Sequence, residues 1–242
     1  MSGFPLNSDD FDDSYFIARA GSDSLRMRAH DVDRKWITSQ INFLQPFESN
    51  LARTFLDIGC SDGRFLKGFN LGVGRTYGIE PNINQKRLAT INGLNIVNNI
   101  ADVPNLDTVI MRGVLHHLPE YKESIAQIIT AFNNSNSSNL KLLFLIANPN
   151  SESLVYKKFG RLPALECGTD FASIYKVHGG REMLRELIER GFVGHLHYPY
   201  LRTPYAKPLM DFVSFAKSFV TGKFAPFPFP RNIFNLVAEF VD

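Results

Sequence analysis

The sequence predicts an α/β fold: a mostly parallel, seven-stranded sheet with helices on both faces and a closing antiparallel hairpin. Three observations carry it. Short apolar runs alternate with helical stretches between residues 54 and 147, the pattern of successive βαβ units. Two of those runs, ending at Asp57 and Glu80, close on an acid followed by a turn. Leu140–Ala147, LKLLFLIA, is apolar almost without a break, as in a strand buried on both faces of a parallel sheet.

Taken in order, residues 1–50 read as an N-terminal extension, acidic and Ser-rich at first. Met27, Trp36, Ile37, Ile41 and Phe43/Leu44 then recur at loosely helical spacing within Ser24–Phe47. Residues 51–242 form the main domain. Strands are expected at Thr54–Ile58, Arg75–Glu80, Leu94–Asn98, Thr108–Met111 and Leu140–Ala147. Helices are expected at Arg64–Leu71, Ile83–Ile91 and Ile125–Phe132. The stretch Asn133–Asn139, NNSNSSN, reads as a surface loop without chemistry. An amphipathic helix at Arg181–Arg190 stops at Gly191, and Phe192–Tyr198 and Asn232–Val241 supply the closing strands. The excursion at about 204–229 is long for a hairpin connection, and is expected to be a helical cover over a site.

Composition bounds the function. Hydrophobic residues make up 44% of the 242 positions and charged residues 21%, ordinary for a globular domain and unlike a disordered chain. With 26 Lys and Arg against 24 Asp and Glu, there is no general electrostatic case for nucleic acid or an anionic membrane. Cys60 and Cys167 are too few for a disulfide framework or a cysteine zinc site, which favours a reducing compartment. No run approaches the ~18 apolar residues of a transmembrane helix, and the start, MSGFPLNSDDFDD, lacks the marks of a secretory signal. A cytoplasmic protein with no membrane insertion is expected, acting on a small molecule and not on nucleic acid. Nothing in the sequence sets an oligomeric state.

The chemistry concentrates in Phe55–Leu66, FLDIGCSDGRFL, where a strand enters a tight turn with Gly59 and Gly63 flanking Cys60, Ser61 and Asp62. Backbone can approach a ligand closely there. Asp57 at the strand end can hold a cationic group, directly or through water. Glu80, in Tyr-Gly-Ile-Glu-Pro-Asn, ends the second strand, where a carboxylate can accept from both hydroxyls of a ribose.

Asp57, Gly59 and Gly63 form an acid-x-Gly-x-x-x-Gly pattern that resembles the first motif of the class I S-adenosylmethionine-dependent methyltransferases, with Ser61 where that family often has a third Gly. Leu106–Glu120, LDTVIMRGVLHHLPE, resembles the family's fourth-strand segment. The resemblance implies a Rossmann-like methyltransferase fold and S-adenosylmethionine as cofactor. It implies ribose binding at Glu80, and an adenine bordered by Pro81 and Asn82 on one face and covered by Asn99, Ile100 and Ala101 on the other. Cys60 and Arg112 would also line the cofactor site. His116 would take the place that presents a polar side chain to the reaction centre, and His117 a structural place. On a helix these neighbours lie about 100° apart, so at most one is expected to face the methyl group. His178 and Tyr175 are further candidates for the acceptor pocket. Asn148–Ser153 and the tail from Tyr200 to Phe240 resemble small-molecule methyltransferases of bacterial capsule, O-antigen and other surface-glycan gene clusters.

Every assignment has a plainer alternative: a ligand-free turn at Gly59/Gly63, a solvated acid at Glu80, a hydrogen-bonded structural histidine at His116. His195 and His197 alternate along a strand and read as packing or surface residues, and no His–acid cluster has metal spacing. A nicotinamide-dependent oxidoreductase would share the Gly-rich turn and the downstream acid, but the G-x-G-x-x-G spacing is missing. The other alternative is a catalytically inactive methyltransferase-like binding protein. For methyl transfer, the protein's main task is to align acceptor oxygen, methyl and sulfur and to exclude water. An alcohol acceptor must also lose a proton, for which a neutral histidine is suited, whereas a carboxylate or phosphate-type oxygen could attack without a base, so His116 is needed only for some acceptors.

Overall fold

The computed structural model describes residues 23–45, 52–71, 74–153, 156–157, 176–198 and 233–241. The expectations for the acidic start, Cys167, Tyr175 and the 204–229 cover lie outside the described residues.

Seven strands form one sheet: β1 (Phe55–Ile58), β2 (Thr76–Ile79), β3 (Asn95–Ile96), β4 (Thr108–Arg112), β5 (Lys141–Pro149), β6 (Phe192–His197) and β7 (Ile233–Phe240), in the order β3-β2-β1-β4-β5-β7-β6. The first five run parallel to one another, and β7 runs antiparallel between β5 and β6. From β1 the chain steps outward through β2 to β3, then returns to the other side of β1 as β4. Loops therefore part at the carboxyl ends of β1 and β4, which makes the crevice where open α/β sheets place ligands.

Period-two alternation splits the core into two layers. Leu56, Ile58, Val109, Met111, Leu143 and Leu145 face one cluster, completed by α4 (Tyr121–Asn133) and α5 (Gly180–Ile188) through Ile125, Ile128, Phe132, Met183 and Leu187. Phe55, Ile110, Leu142, Phe144 and Ile146 face the other, covered by α1 (Asp23–Leu44), α2 (Arg64–Lys67) and α3 (Ile83–Ile91) through Ile37, Phe65, Leu66 and Ala89. The N-terminal extension thus contributes a helix that packs directly on the sheet.

Two local differences from expectation have physical causes. The helix expected to run from Arg64 to Leu71 is one turn long, because Gly68 caps it and Asn70 takes a left-handed backbone (φ 52°) that no α-helix continues. β5 extends beyond Ala147 to Pro149 through a register shift against β7 between Leu145 and Asn148, with Ala147 itself left-handed (φ 52°). Such a bulge re-aims the side chains that follow it.

At the opposite, amino-terminal edge of the sheet, Asp107 is fully buried. It accepts hydrogen bonds from Thr54 N, Ser137 Oγ, Asn139 Nδ2 and Thr108 Oγ1, and it pairs with the buried Arg53 at 3.4 Å. Ser137 and Asn139 come from the polar loop that reads in sequence as featureless. In the structure that loop wraps a buried charge pair.

Candidate active site

Asp57 is the last-but-one residue of β1 and 2% exposed, and its Oδ1 has no hydrogen-bond partner among the described residues. Burial pushes its pKa up to about 8; the Arg112 guanidinium lowers it in part, and the Glu80 charge adds to the rise. A lone carboxylate in this setting is a receptor for a cation. Beyond it the turn is tight. Gly59 N donates to Ile79 O at 2.8 Å and Gly63 N to Cys60 O at 3.0 Å. Gly59 has φ 74°, and a Cβ there would collide with the Val114 side chain. A Cβ on Gly63 (φ 76°) would come within 3.0 Å of Ala89 Cα. Ser61 is also left-handed (φ 52°), which accounts physically for the glycine that the resembling family often carries there.

Glu80 closes the turn from the β2 side. Its Oε2 accepts from Ser61 N and its Oε1 from Asn82 N, both at 2.9 Å. Each oxygen keeps a second lone pair. Burial raises its pKa, opposed by those two backbone donors and by Lys86. The remaining residues predicted to line the cofactor divide. Cys60 sends its thiol into the α1–α3 layer against Gly78, where burial first, then Asp57 and Glu80, push its pKa well up. The same thiol donates to Ser61 O of the turn at 3.7 Å. Asn82 Oδ1 caps α3 by accepting from Asn84 N and Gln85 N, both at 2.9 Å, and Asn99 Oδ1 accepts from Ala101 N at 3.0 Å. Pro81 is half-buried beside Glu80, and the Ile100 side chain lies in the apolar core.

Arg112, at the carboxyl end of β4, donates from Nε to Asp33 Oδ2 of α1 at 2.7 Å, and its guanidinium sits 5.5 Å from the Phe65 ring centre. Burial raises the Asp33 pKa while Arg112 pulls it down. Sequence reasoning missed Asp33. Its partner is 79 positions away, and one acid in a charged helix carries no signal.

His116 and His117 occupy a 3₁₀ turn, Leu115–His117, rather than an α-helix. Both are buried, and their ring centroids are 3.9 Å apart at 41°. The expected helix is therefore corrected to a short turn after Gly113 (φ 64°), on which the two imidazoles tilt against each other in ring contact. His178 precedes α5 and meets Tyr121, the first residue of α4, with ring centroids 4.3 Å apart. Its pKa is lowered by burial first and then by Lys176, with Glu182 opposing; the Glu182 carboxylate stands 3.8 Å from Nδ1, beyond hydrogen-bond reach. No distance brings His178 to the His116–His117 pair, but Tyr121 links its position to the loop after β4. His195 and His197 are exposed on β6, and the His197 ring lies against Trp36.

Among the described residues no group of three or more His, Cys, Asp or Glu could hold a metal ion, and no helix is long and apolar enough to cross a membrane. Asp57, the Gly59–Gly63 turn and Glu80 fit a ligand with a cationic group at one end and vicinal hydroxyls further along. Asp57 supplies the orphaned carboxylate oxygen, the glycines a cradle that a Cβ would fill, and Glu80 the remaining lone pairs.

Comparison with known proteins identifies the family and the fold. The family model described as "Methyltransferase domain" matches residues 28–192. No curated protein matches the chain. Among solved structures, the plantazolicin methyltransferase BpumL in complex with a triazolic desmethylPZN analog and SAH aligns at 13% identity with a TM-score of 0.60, covering 96% of this chain and 92% of that one. The same enzyme in complex with SAH alone aligns at 12% identity and TM-score 0.59, covering 98% and 95%. A SAM-dependent methyltransferase from Archaeoglobus fulgidus aligns at 16% identity and TM-score 0.50, covering 85% and 94%. Because the family model spans well over half of the sequence and these structures share its seven-stranded Rossmann-like fold, the chain belongs to the methyltransferase-domain family.

Proposed function

We propose that the protein transfers a methyl group from S-adenosylmethionine to an oxygen of a small molecule such as a sugar, a sugar nucleotide or a surface-glycan precursor. The observation that carries the cofactor half is Asp57: a buried carboxylate with an unpartnered oxygen, just before the Gly59–Gly63 cradle and opposite Gly78, two residues before Glu80, on the neighbouring strand. Asp57 holds the amino group of the cofactor's methionine part, Glu80 its ribose hydroxyls, and the turn backbone leaves room between them. Pro81 and Asn99 border the base, and Arg112 flanks the amino-acid end. SAH in the BpumL structures supports the same cofactor class. Family membership sets aside the nicotinamide alternative.

The cofactor, when bound, supplies an activated methyl on a sulfonium with a good leaving group. This chain's residues bind, orient and exclude water. His116 takes the proton from an alcohol acceptor, and His117, in ring contact with it, holds the imidazole in place. A sugar acceptor rests on the likeness of Asn148–Ser153 and of the tail to surface-glycan methyltransferases, and on the buried, uncharged polar groups at the end of β5. The protein works in the cytoplasm, where its cofactor is made available.

The test is a methyl-transfer assay against nucleotide-linked sugars, glycan fragments and small phosphorylated metabolites, read by mass spectrometry. A mass gain of one methyl on a hydroxyl-bearing sugar is the expected result. Transfer only to nitrogen or to a peptide overturns the acceptor half. Binding of S-adenosylhomocysteine without turnover on any of them favours the inactive binding protein.

A further inference from the structure

Asn148 is 1% exposed, and neither its amide oxygen nor its amide nitrogen has a hydrogen-bond partner among the described residues. His178 is equally buried, and both its ring nitrogens are in the same condition. Its nearest acid, Glu182, directs its oxygens to Lys176 Nζ at 3.1 Å and Gly179 N at 3.2 Å. Buried polar atoms are nearly always paired, so two such side chains on neighbouring segments point to a ligand.

The bulge in β5 decides where Asn148 faces. Leu142, Phe144 and Ile146 turn to the α1–α3 layer, and unbroken alternation would send residue 148 there too. The register shift after Leu145 resets the pattern: Ala147 packs against that layer, and Asn148 stands opposite Phe234 of β7. Phe234, Leu236 and Ala238 belong to the α4–α5 layer, and cross-strand partners share a face. Asn148 is thereby placed on the face that carries His178, Tyr121 and the His116–His117 turn. Ser151 N donates to His178 O at 3.0 Å and Gly180 N to Asn150 Oδ1 at 3.2 Å, which fixes the His178 segment beside the end of β5. A left-handed alanine is an unfavourable local choice, and its result here is an amide set into an apolar layer at the ligand-binding edge.

We propose that Asn148 and His178 form a hydrogen-bonding subsite for an uncharged, hydroxyl-bearing part of the acceptor, at the carboxyl end of β5. This rests on the methyl-transfer reading and names the acceptor chemistry of that same site. The amide offers donors and an acceptor, and a neutral imidazole offers one of each. Hydroxyls both donate and accept, so they satisfy all of these groups. A carboxylate only accepts, and a phosphate accepts through most of its oxygens; either would bring a net charge to a buried, uncharged pair of side chains, which is costly. Burial keeps His178 on its neutral side, and Lys176 pushes the same way.

The experiment compares melting temperatures of the full chain, Asn148→Leu and His178→Phe, alone and with myo-inositol, inorganic phosphate or S-adenosylhomocysteine. Each variant replaces an unpartnered polar group by an apolar one of similar size, so each is expected to melt about 2 °C or more above wild type. Polyols raise melting temperatures without binding, so the variants set the baseline. Myo-inositol is expected to stabilise wild type beyond that baseline, and phosphate to leave wild type and variants in unchanged order. Variants that melt below wild type, an inositol response equal in all three proteins, or a phosphate response confined to wild type each overturns the proposal. S-adenosylhomocysteine stabilises all three alike if the cofactor half stands, so its failure is read separately from the inositol arm.

Discussion

Arg112 Nε and Asp33 Oδ2 lie 2.7 Å apart, joining the carboxyl end of β4 to helix α1 beside the buried carboxylate of Asp57. Asp33 engages the guanidinium, which sits over the Phe65 ring, and the Asp57 pKa stays raised to about 8 although Arg112 lowers it in part. The sheet edge and the N-terminal helix are thereby part of one electrostatic arrangement.

Asp33→Asn is expected to cost about 3 kcal/mol, the lower end for breaking a buried ion pair, and to weaken S-adenosylhomocysteine binding about tenfold as Arg112 turns to Asp57. Adding Arg112→Gln should recover part of both losses, because it removes the stranded charge. Urea unfolding and calorimetry on the two single variants and the double variant measure this. Strictly additive losses would show that the two residues do not act as a pair.

The raised pKa of Asp57 sets a pH dependence. Folded Asp57 binds its proton up to about pH 8, whereas the unfolded residue releases it at the ordinary carboxylate value near ~4. The unfolded state therefore holds fewer protons across that window, and this group's contribution to stability falls as pH rises through it. Asp57→Asn should remove that component, so its melting temperature should decline less than that of wild type between about pH 5 and 8. A bound ammonium favours the charged carboxylate. S-adenosylhomocysteine binding at neutral pH should then release a proton in wild type and not in Asp57→Asn, read as a buffer-dependent calorimetric enthalpy.

For an alcohol acceptor, His116→Ala should lower turnover by about 10²–10⁴-fold with cofactor affinity nearly intact. Ring contact makes His117→Ala a milder version of the same defect, about tenfold, together with a lower melting temperature. Steady-state rates on an accepted alcohol, calorimetry and thermal melts separate the two. Full activity in His116→Ala would assign the proton to another group, with His178 the next to replace.

Asp107→Ala tests the opposite edge of the sheet. It leaves Arg53 buried without its carboxylate and removes the acceptor for Thr54, Ser137 and Asn139. A loss of about 3–5 kcal/mol in urea unfolding is expected, with cofactor affinity in the surviving folded fraction unchanged.

What was legible in the sequence follows from locality. Asp57, Gly59, Gly63 and Glu80 sit within a few residues of strand ends whose apolar patterns mark them, and the structure sets all four around one turn. Helix α3 was read at its full extent, Ile83–Ile91, and the structure shows Asn82 capping its start. The rest depended on contacts between distant segments. Asp33 meets Arg112, and the polar loop meets Asp107, only once the sheet is assembled. Asn148 changes face because of a bulge that no period-two pattern contains, and the histidine pair sits on a 3₁₀ turn where a helix was expected.

The most direct measurement is calorimetric titration of the wild-type chain with S-adenosylhomocysteine, repeated with Glu80→Ala. Micromolar binding, about −8 kcal/mol, is expected for wild type, weakened by about 1.5–3 kcal/mol in a folded Glu80→Ala, the scale of hydrogen bonds to a charged group. Absence of binding to wild type, or unchanged affinity in the variant, would contradict the cofactor site described around Asp57, Gly59, Gly63 and Glu80.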